Sequence, residues 1–74
     1  MNDEKFNLYW TDMGGTQHKE LEYVPFNDDF KSALIRLTKG PAAQLGVVEE
    51  VLVTDTGDMT CFLWQKGKVI FPTK

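Results

Sequence analysis

The chain contains 74 residues, of which 42% are hydrophobic, 26% are charged and 12% are aromatic. These values are typical of one small folded domain, and they exclude a disordered chain and a large cofactor-binding α/β domain. Eight Lys and Arg residues against eleven Asp and Glu residues give a net charge of −3 at pH 7. A general nucleic-acid binder normally carries a basic face instead, so the charge balance argues against that class.

The cysteine content and the short apolar runs bear on the compartment of the protein. Cys61 is the only cysteine, so an internal disulfide and a thiolate metal cluster are both excluded. The charged residues 1–5 are not followed by the apolar segment of a signal peptide. The longest apolar runs, such as residues 61–64, are much shorter than the about 20 residues that cross a bilayer. We therefore expect a cytoplasmic protein.

The first third of the chain predicts a β-hairpin over residues 5–24. Apolar residues alternate with Asn7, Tyr9 and Thr11 at a period of two, as in a half-buried strand: Phe6, Leu8 and Trp10. Gly14 and Gly15 provide a two-residue turn, because glycine reaches positive φ without a steric penalty. In this register Leu8 faces Leu21. The polar face then carries the pairs Asn7–Glu22, Tyr9–Glu20 and Thr11–His18, and the apolar face adds Phe6–Tyr23 and Trp10–Lys19.

An amphipathic helix is predicted over residues 28–39. Asn27 is a typical cap, and Asp28 and Asp29 place acidic groups in the first turn. The apolar residues share one helical face: Phe30, Ala33, Leu34 and Leu37. Gly40 and Pro41 end the helix as a glycine cap followed by a helix-breaking proline, and one further turn over residues 41–45 ends at Gly46.

Residues 47–72 predict a three-stranded meander with turns at Thr56-Gly57 and Lys66-Gly67. Pairing about these turns divides the side chains between two faces. One face carries Val51, Val53, Phe62, Trp64, Val69 and Phe71. The other carries Leu52, Cys61, Leu63 and Ile70, together with Glu50, Thr54 and Met59. Large apolar groups therefore occupy both faces of the predicted sheet.

The element order ββ-α-βββ predicts a single α+β domain over residues 1–74. One helix covers only one face of a sheet. The N-terminal hairpin either packs on the other face, which gives a small sandwich or half-barrel, or extends the meander into one five-stranded sheet. In the second arrangement an apolar face stays exposed unless a partner covers it.

One short motif resembles a known catalytic signature. Asp55-Thr56-Gly57 follows an apolar strand, as the catalytic triplet of aspartic proteases does. The resemblance implies two aspartates that share a proton, whereas this chain has one such triplet. Only 17 residues (74 minus 57) follow Gly57, and two short strands occupy them. We therefore interpret the triplet as a hairpin turn.

Three other side chains are candidates for chemistry: His18, Asp58 and Cys61. Asp58 together with Asp55 offers fewer oxygens than the six or more that a hard cation takes. The sequence places no nucleophile beside His18, and the neighbours of Cys61 provide no electropositive setting for a reactive thiol. We therefore predict no catalytic, metal or cofactor site. We interpret His18 as a surface residue, Asp58 as a turn residue and Cys61 as a core residue.

The outer face of the helix has two interpretations. Ile35 lies opposite the apolar stripe, among Lys31, Arg36 and Lys39. It is either one exposed apolar residue on a solvated face or the anchor of a basic surface that binds an acidic or phosphate-bearing partner.

The presence of large apolar residues on both faces of the predicted sheet indicates a non-enzymatic interaction module that binds a protein partner or a second copy of itself. The expected contact residues depend on which sheet face the helix covers, and are Phe62, Trp64 and Phe71, or the pair Leu63–Ile70. The acidic charge fits an inhibitor or adaptor, a role common among small phage and mobile-element proteins. The alternative is a nucleic-acid-binding module that uses Lys31, Arg36 and Lys39. No membrane and no small-molecule ligand is indicated.

Overall fold

The computed structural model describes residues 4–72 and packs a helix against one antiparallel sheet. The elements in chain order are β1 (Lys5–Asp12), β2 (Gln17–Pro25), α1 (Asp28–Lys39), α2 (Pro41–Gln44), β3 (Val48–Asp55), β4 (Thr60–Gln65) and β5 (Lys68–Phe71). The predicted α+β class and the β-β-α-β-β-β order are confirmed. The short α2 is the extra turn predicted after the first helix.

The five strands form one sheet in the order β2-β1-β3-β4-β5. β1 pairs with β3 along most of its length, from Phe6 opposite Asp55 to Asp12 opposite Val48. The N-terminal hairpin therefore extends the meander, which is the second of the two predicted arrangements. The buried apolar side chains lie between α1 and one face of this sheet: Leu8, Phe30, Ala33, Leu37, Val48, Val51, Val53 and Trp64. The opposite face of the sheet lies outside this core.

Local sequence chemistry explains where α1 begins. The side-chain Oδ1 of Asn27 accepts the backbone N–H of Phe30 at 3.0 Å, which satisfies a donor that the first helical turn leaves unpaired. Asp28 and Asp29 then place negative charge at the positive end of the helix dipole. Phe30, one turn into the helix, is fully buried. The cap therefore sets the residue at which α1 begins, and the apolar stripe that starts at Phe30 sets the face that packs on the sheet.

Gly40 ends α1 for a different reason from the one predicted. Its φ of −78° and ψ of −179° are extended, not left-handed, so the glycine is not needed for its backbone angle. Its N–H donates to the carbonyl of Arg36 at 3.0 Å, and a Cβ on Gly40 would overlap that same carbonyl oxygen. The left-handed glycine is instead Gly46, with φ of 80°, directly after α2 and Leu45.

The register of the first hairpin differs from the predicted one on both sides of Leu8. Leu8 faces Leu21 as predicted, but two bulges in β2 shift the remaining pairs. Phe6 therefore faces Val24, and Trp10 faces His18. A bulge inserts an extra residue that has no partner across the ladder, and the sequence alone placed none here.

The bulge near Tyr23 is stabilised by an asparagine on the neighbouring strand. Tyr23 adopts a φ of 57°, a conformation that costs a non-glycine residue free energy. Its backbone N–H donates to Oδ1 of Asn7 at 2.9 Å, and Nδ2 of Asn7 donates to Oγ1 of Thr54 at 3.3 Å. Asn7 thus joins β2, β1 and β3 through one side chain.

The β1–β2 and β3–β4 hairpins have the same loop geometry. In each, a three-residue loop, and not the predicted two-residue turn, is closed by a backbone hydrogen bond: the N–H of Asp12 donates to the carbonyl of Thr16 at 2.9 Å, and that of Asp55 to the carbonyl of Met59 at 3.0 Å. In the first, Oδ1 of Asp12 accepts the N–H groups of Gly14 and Thr16. In the second, Oδ1 of Asp55 accepts those of Gly57 and Met59. The third loop residue is left-handed in both, Gly15 with φ of 89° and Asp58 with φ of 64°. The triplet that resembles a protease motif therefore forms a turn whose carboxylate binds its own backbone.

Two bulges in the last three strands also correct the predicted faces. Val53 faces Phe62 and Thr54 faces Thr60, so Cys61 has no partner in the ladder. Cys61 borders the core under the helix and does not lie on the opposite face. Phe71 pairs with Leu63 and so departs from the predicted row of Trp64. The Lys66-Gly67 turn is as predicted, with both residues at positive φ.

We expect Gly40→Ala to lower the free energy of unfolding by about 2–3 kcal/mol, because the new Cβ and the Arg36 carbonyl cannot occupy the same space. Urea unfolding followed by circular dichroism measures the change. Gly14→Ala is the matched control, since a Cβ there meets only the Asp12 carboxylate at 3.4 Å, and its effect should stay within about 0.5 kcal/mol. Equal unfolding midpoints for the two variants would contradict the steric account of Gly40.

Candidate interaction surfaces

The helix covers the face that carries Trp64. Trp64 is 7% exposed and belongs to the core, and Phe62 packs against the same core at half-burial. Trp64 is therefore placed where a binding partner has almost no access to it. Of the three aromatic residues predicted to form one contact face, Phe71 is the one that is exposed, at 45%.

The uncovered face carries an apolar row that crosses the sheet. Its members are paired strand by strand: Tyr9 with Leu52, Leu52 with Leu63, and Leu63 with Phe71. Directly opposed residues of an antiparallel ladder share one face and lie about 5 Å apart. Leu52 lies between the buried Val51 and Val53 in β3, so the alternation of the strand directs it away from the helix. We call these four residues (Tyr9, Leu52, Leu63 and Phe71) the apolar row.

Polar groups border the apolar row on one side and satisfy one another. The carboxylate of Glu50 accepts a hydrogen bond from Oγ1 of Thr11 at 3.3 Å and another from Nε2 of Gln65 at 2.7 Å. Thr11, Glu50 and Gln65 are neighbours in the ladder. This network holds a negative charge beside the row and fixes the orientation of the three side chains.

A cation lies at the β2 end of the apolar row. Lys19 pairs with Tyr9 in the ladder, and its Nζ is 5.6 Å from the Tyr9 ring centroid. The same Nζ is 3.3 Å from a carboxylate oxygen of Glu22. The charge of Lys19 is therefore shared between an aromatic face and an acid, and the Glu22 side chain stays 66% exposed.

Both edges of the sheet are poorly suited to pairing with another strand. β2 contains two bulges, and β5 is a four-residue strand whose ladder shifts between Leu63 and Trp64. Bulges and short strands at an edge hinder strand addition. The uncovered face, and not an edge, is therefore the part of the sheet that favours contact with another molecule.

The basic outer face of α1 is partly neutralised within the chain. Ile35 is 58% exposed, at the position that the helical pattern predicted. Nη2 of Arg36 is 2.7 Å from a carboxylate oxygen of Glu20, which one of the β2 bulges turns toward the helix. Nζ of Lys31 is 5.7 Å from the centroid of the Phe26 ring. The arginine charge thus contributes to holding the helix on the sheet.

His18 forms a cluster that the sequence analysis missed. Its Nε2 is 2.8 Å from Oδ2 of Asp12, and its ring stacks on Trp10 with a centroid distance of 4.3 Å. The hydrogen bond from His18, followed by that from the Thr16 N–H, lowers the pKa of the Asp12 carboxyl. The predicted register had placed His18 on the opposite face beside Thr11, because it did not include the bulge.

The remaining candidate chemistry is dispersed over the molecule. Within residues 4–72, no three His, Cys, Asp or Glu side chains lie together in a group that would hold a metal ion. Burial, followed by the charges of Asp55 and Glu4, raises the pKa of the Cys61 thiol, which is the reverse of what activates a cysteine. Neither helix in this part of the chain has the length and apolarity needed to cross a membrane.

Comparison with known proteins adds no functional assignment to this geometry. No protein-family model, no curated protein and no solved structure matches the chain. What the fold defines is a small α+β domain with one covered and one uncovered sheet face. The surfaces of that domain are therefore the features that bear on its function.

We expect acidification to destabilise the native chain more than the Asp12→Asn variant. The folded-state pKa of Asp12 lies below its ordinary value of 3.8, so its stabilisation is complete above about pH 4 and is lost as the pH falls through the folded pKa. Unfolding free energies of both proteins between about pH 6 and pH 2 measure this. Parallel pH profiles would show that the contact with His18 does not favour the ionised carboxylate.

Truncation of the Trp64 side chain should lower the free energy of unfolding of the domain. We expect Trp64→Ala to cost about 3–5 kcal/mol, because it leaves a cavity under the helix. Phe71→Ala should cost less than about 1 kcal/mol, because nearly half of that side chain is already in water. Thermal unfolding of the two variants distinguishes a core residue from a surface one, and similar losses would contradict the assignment.

Proposed function

We propose that this protein is a non-enzymatic interaction module that binds a partner protein through the apolar row. The observation that carries the proposal is the unbroken pairing Tyr9–Leu52–Leu63–Phe71 across four strands, on the face opposite α1. Tyr9, Leu52 and Leu63 are half-buried and Phe71 is exposed, and an accessible apolar strip with polar borders is the usual composition of a protein-binding surface. The role requires no reacting group on this face.

Charge favours a basic partner over a second copy of the chain. Glu50 borders the row on one side, Glu22 lies at its β2 end with Lys19 as its ion-pair partner, and the whole chain carries a net charge of −3. A second copy would bring the same negative charge to the contact, whereas a partner with Lys or Arg around an apolar centre would be attracted. An acidic module of this kind acts as an inhibitor or an adaptor when it occupies the basic surface of another protein.

The area of the uncovered sheet face also favours a different partner protein over a second copy of the chain. The five strands contain 35 residues; at about 4.8 Å between strands and about 3.3 Å per residue, they give a flat area of roughly 550 Å². A stable interface takes about 800 Å² from each partner. A self-contact limited to this face would therefore be weak. A partner that also reaches the acidic borders gains the additional contact that a stable complex needs.

We expect Leu63→Lys to abolish partner binding, because it places a charge at the centre of the apolar row. Ile35→Lys is the matched control, since it makes the same change on the exposed outer face of α1. Both variants should keep the native circular dichroism spectrum. Proteins from the native lysate should be retained by the wild type and by Ile35→Lys but not by Leu63→Lys, and retention should fall with added salt.

Two results would overturn this proposal. One is retention that Leu63→Lys leaves unchanged, which would place the binding surface elsewhere. The other is a wild-type mass in sedimentation that doubles at low micromolar concentration and returns to that of the monomer in Leu63→Lys, which would make a second copy the occupant of the row.

A further inference from the structure

An apolar cavity lies on the other side of the sheet, beside α1. Its volume is about 290 Å³, and its lining comes from three strands, from α1 and from the bend before α1: Phe6, Phe26, Leu34, Val53, Cys61 and Phe62. The volume is close to the lower end of the range for small-molecule sites. Among the lining residues within 4–72, the Cys61 thiol is the only polar side-chain group. The cavity does not include any member of the apolar row.

The aromatic rings at this cavity are arranged to receive another ring. Phe6 meets Phe26 at an interplanar angle of 75° and a centroid distance of 6.2 Å. Phe30, which is fully buried behind the lining, contacts Phe26 at 54° and 5.3 Å. Edge-to-face and tilted pairs expose both ring edges and ring faces, which are the two surfaces that a further aromatic group contacts favourably. Phe26 is 50% exposed, so part of this aromatic surface has no cover within the described chain.

The charges around the cavity select against an anion. Asp55 and Glu4 both act electrostatically on the thiol of Cys61 in the lining, and in the direction that opposes a negative charge there. Lys31 lies over the Phe26 ring at 5.7 Å, whereas the acids act at the Cys61 part of the lining. A guest that carries a carboxylate would therefore be repelled relative to a neutral or cationic guest of the same shape.

We propose that this cavity binds a small aromatic molecule that carries no negative charge. The ring inserts between Phe26 and Phe62, next to Cys61, and any amino group on the guest remains in water on the acidic side. This site is independent of the apolar row, because the two lie on opposite faces of the sheet.

Three probes with one ring system and different charges test the proposal: indole, tryptamine and indole-3-acetate. Cys61 is the only cysteine in the chain, so its alkylation by neutral iodoacetamide reports on the cavity alone. With a dissociation constant on the order of 1 mM, as expected for so small a ligand, about 2 mM indole or tryptamine should slow alkylation about threefold. Indole-3-acetate should slow it clearly less.

A second readout does not depend on the thiol. In amide NMR spectra, indole should shift the signals of Phe26, Cys61 and Phe62 and leave that of Gly15, in the distant hairpin loop, unchanged. Cys61→Leu, which fills the cavity, should remove these shifts. Ile35→Ala, on the outer face of α1, should keep them.

Three outcomes would overturn the proposal. The first is an absence of both protection and shifts with indole and tryptamine. The second is binding of indole-3-acetate that equals or exceeds that of indole. The third is protection of Cys61 that rises with protein concentration without any probe, because a second copy of the chain would then occupy the cavity. None of these results affects the apolar row, whose test relies on Leu63→Lys.

Discussion

The pairing of β1 with β3 is the contact on which the rest of the structure depends. It joins two hairpins that are separated by both helices, and it places Leu8 beside Val53 at the centre of the sheet. Leu8, Val51 and Phe30 are fully buried, so this junction is also where α1 packs. Because a single layer of five strands has two faces and α1 covers one, the apolar row remains outside the core.

Bulges at the two edges of the sheet make its outer strands irregular. In β2 the bulges turn Glu20 toward Arg36 of α1, and they allow the backbone N–H of Tyr23 to donate a hydrogen bond to the side chain of Asn7. The edge strand is thereby tied to the helix and to the central strands, while its irregular backbone hinders pairing with another chain. The same departures from a regular ladder attach β2 to the domain and leave the face opposite α1 uncovered. The cavity at Phe26 lies on the covered side, where α1 does not extend over all of β4.

The candidate surfaces were only partly predictable from the sequence. The alternation in β3 and β4 already indicated apolar groups on both faces, and it placed Leu52 with Leu63. Tyr9 was assigned to a polar face, because only the β1–β3 pairing makes it a neighbour of Leu52. Phe71 was assigned to the wrong row, because one bulge reverses the face of every residue beyond it. The cavity combines residues from four elements, and no local pattern indicates such a combination.

The sequence by itself determined the elements whose causes lie within a few residues. Helix α1 has the predicted bounds, 28 to 39, because its cap, its first-turn acids and its apolar stripe are all local. The Lys66-Gly67 turn is local in the same sense. Only the tertiary structure decided the strand order, the bulges and the position of His18, since each depends on hydrogen bonds between residues far apart in the chain. Two alternative strand arrangements satisfy the local preferences of the residues equally well. The difference in free energy between them therefore comes from these distant contacts.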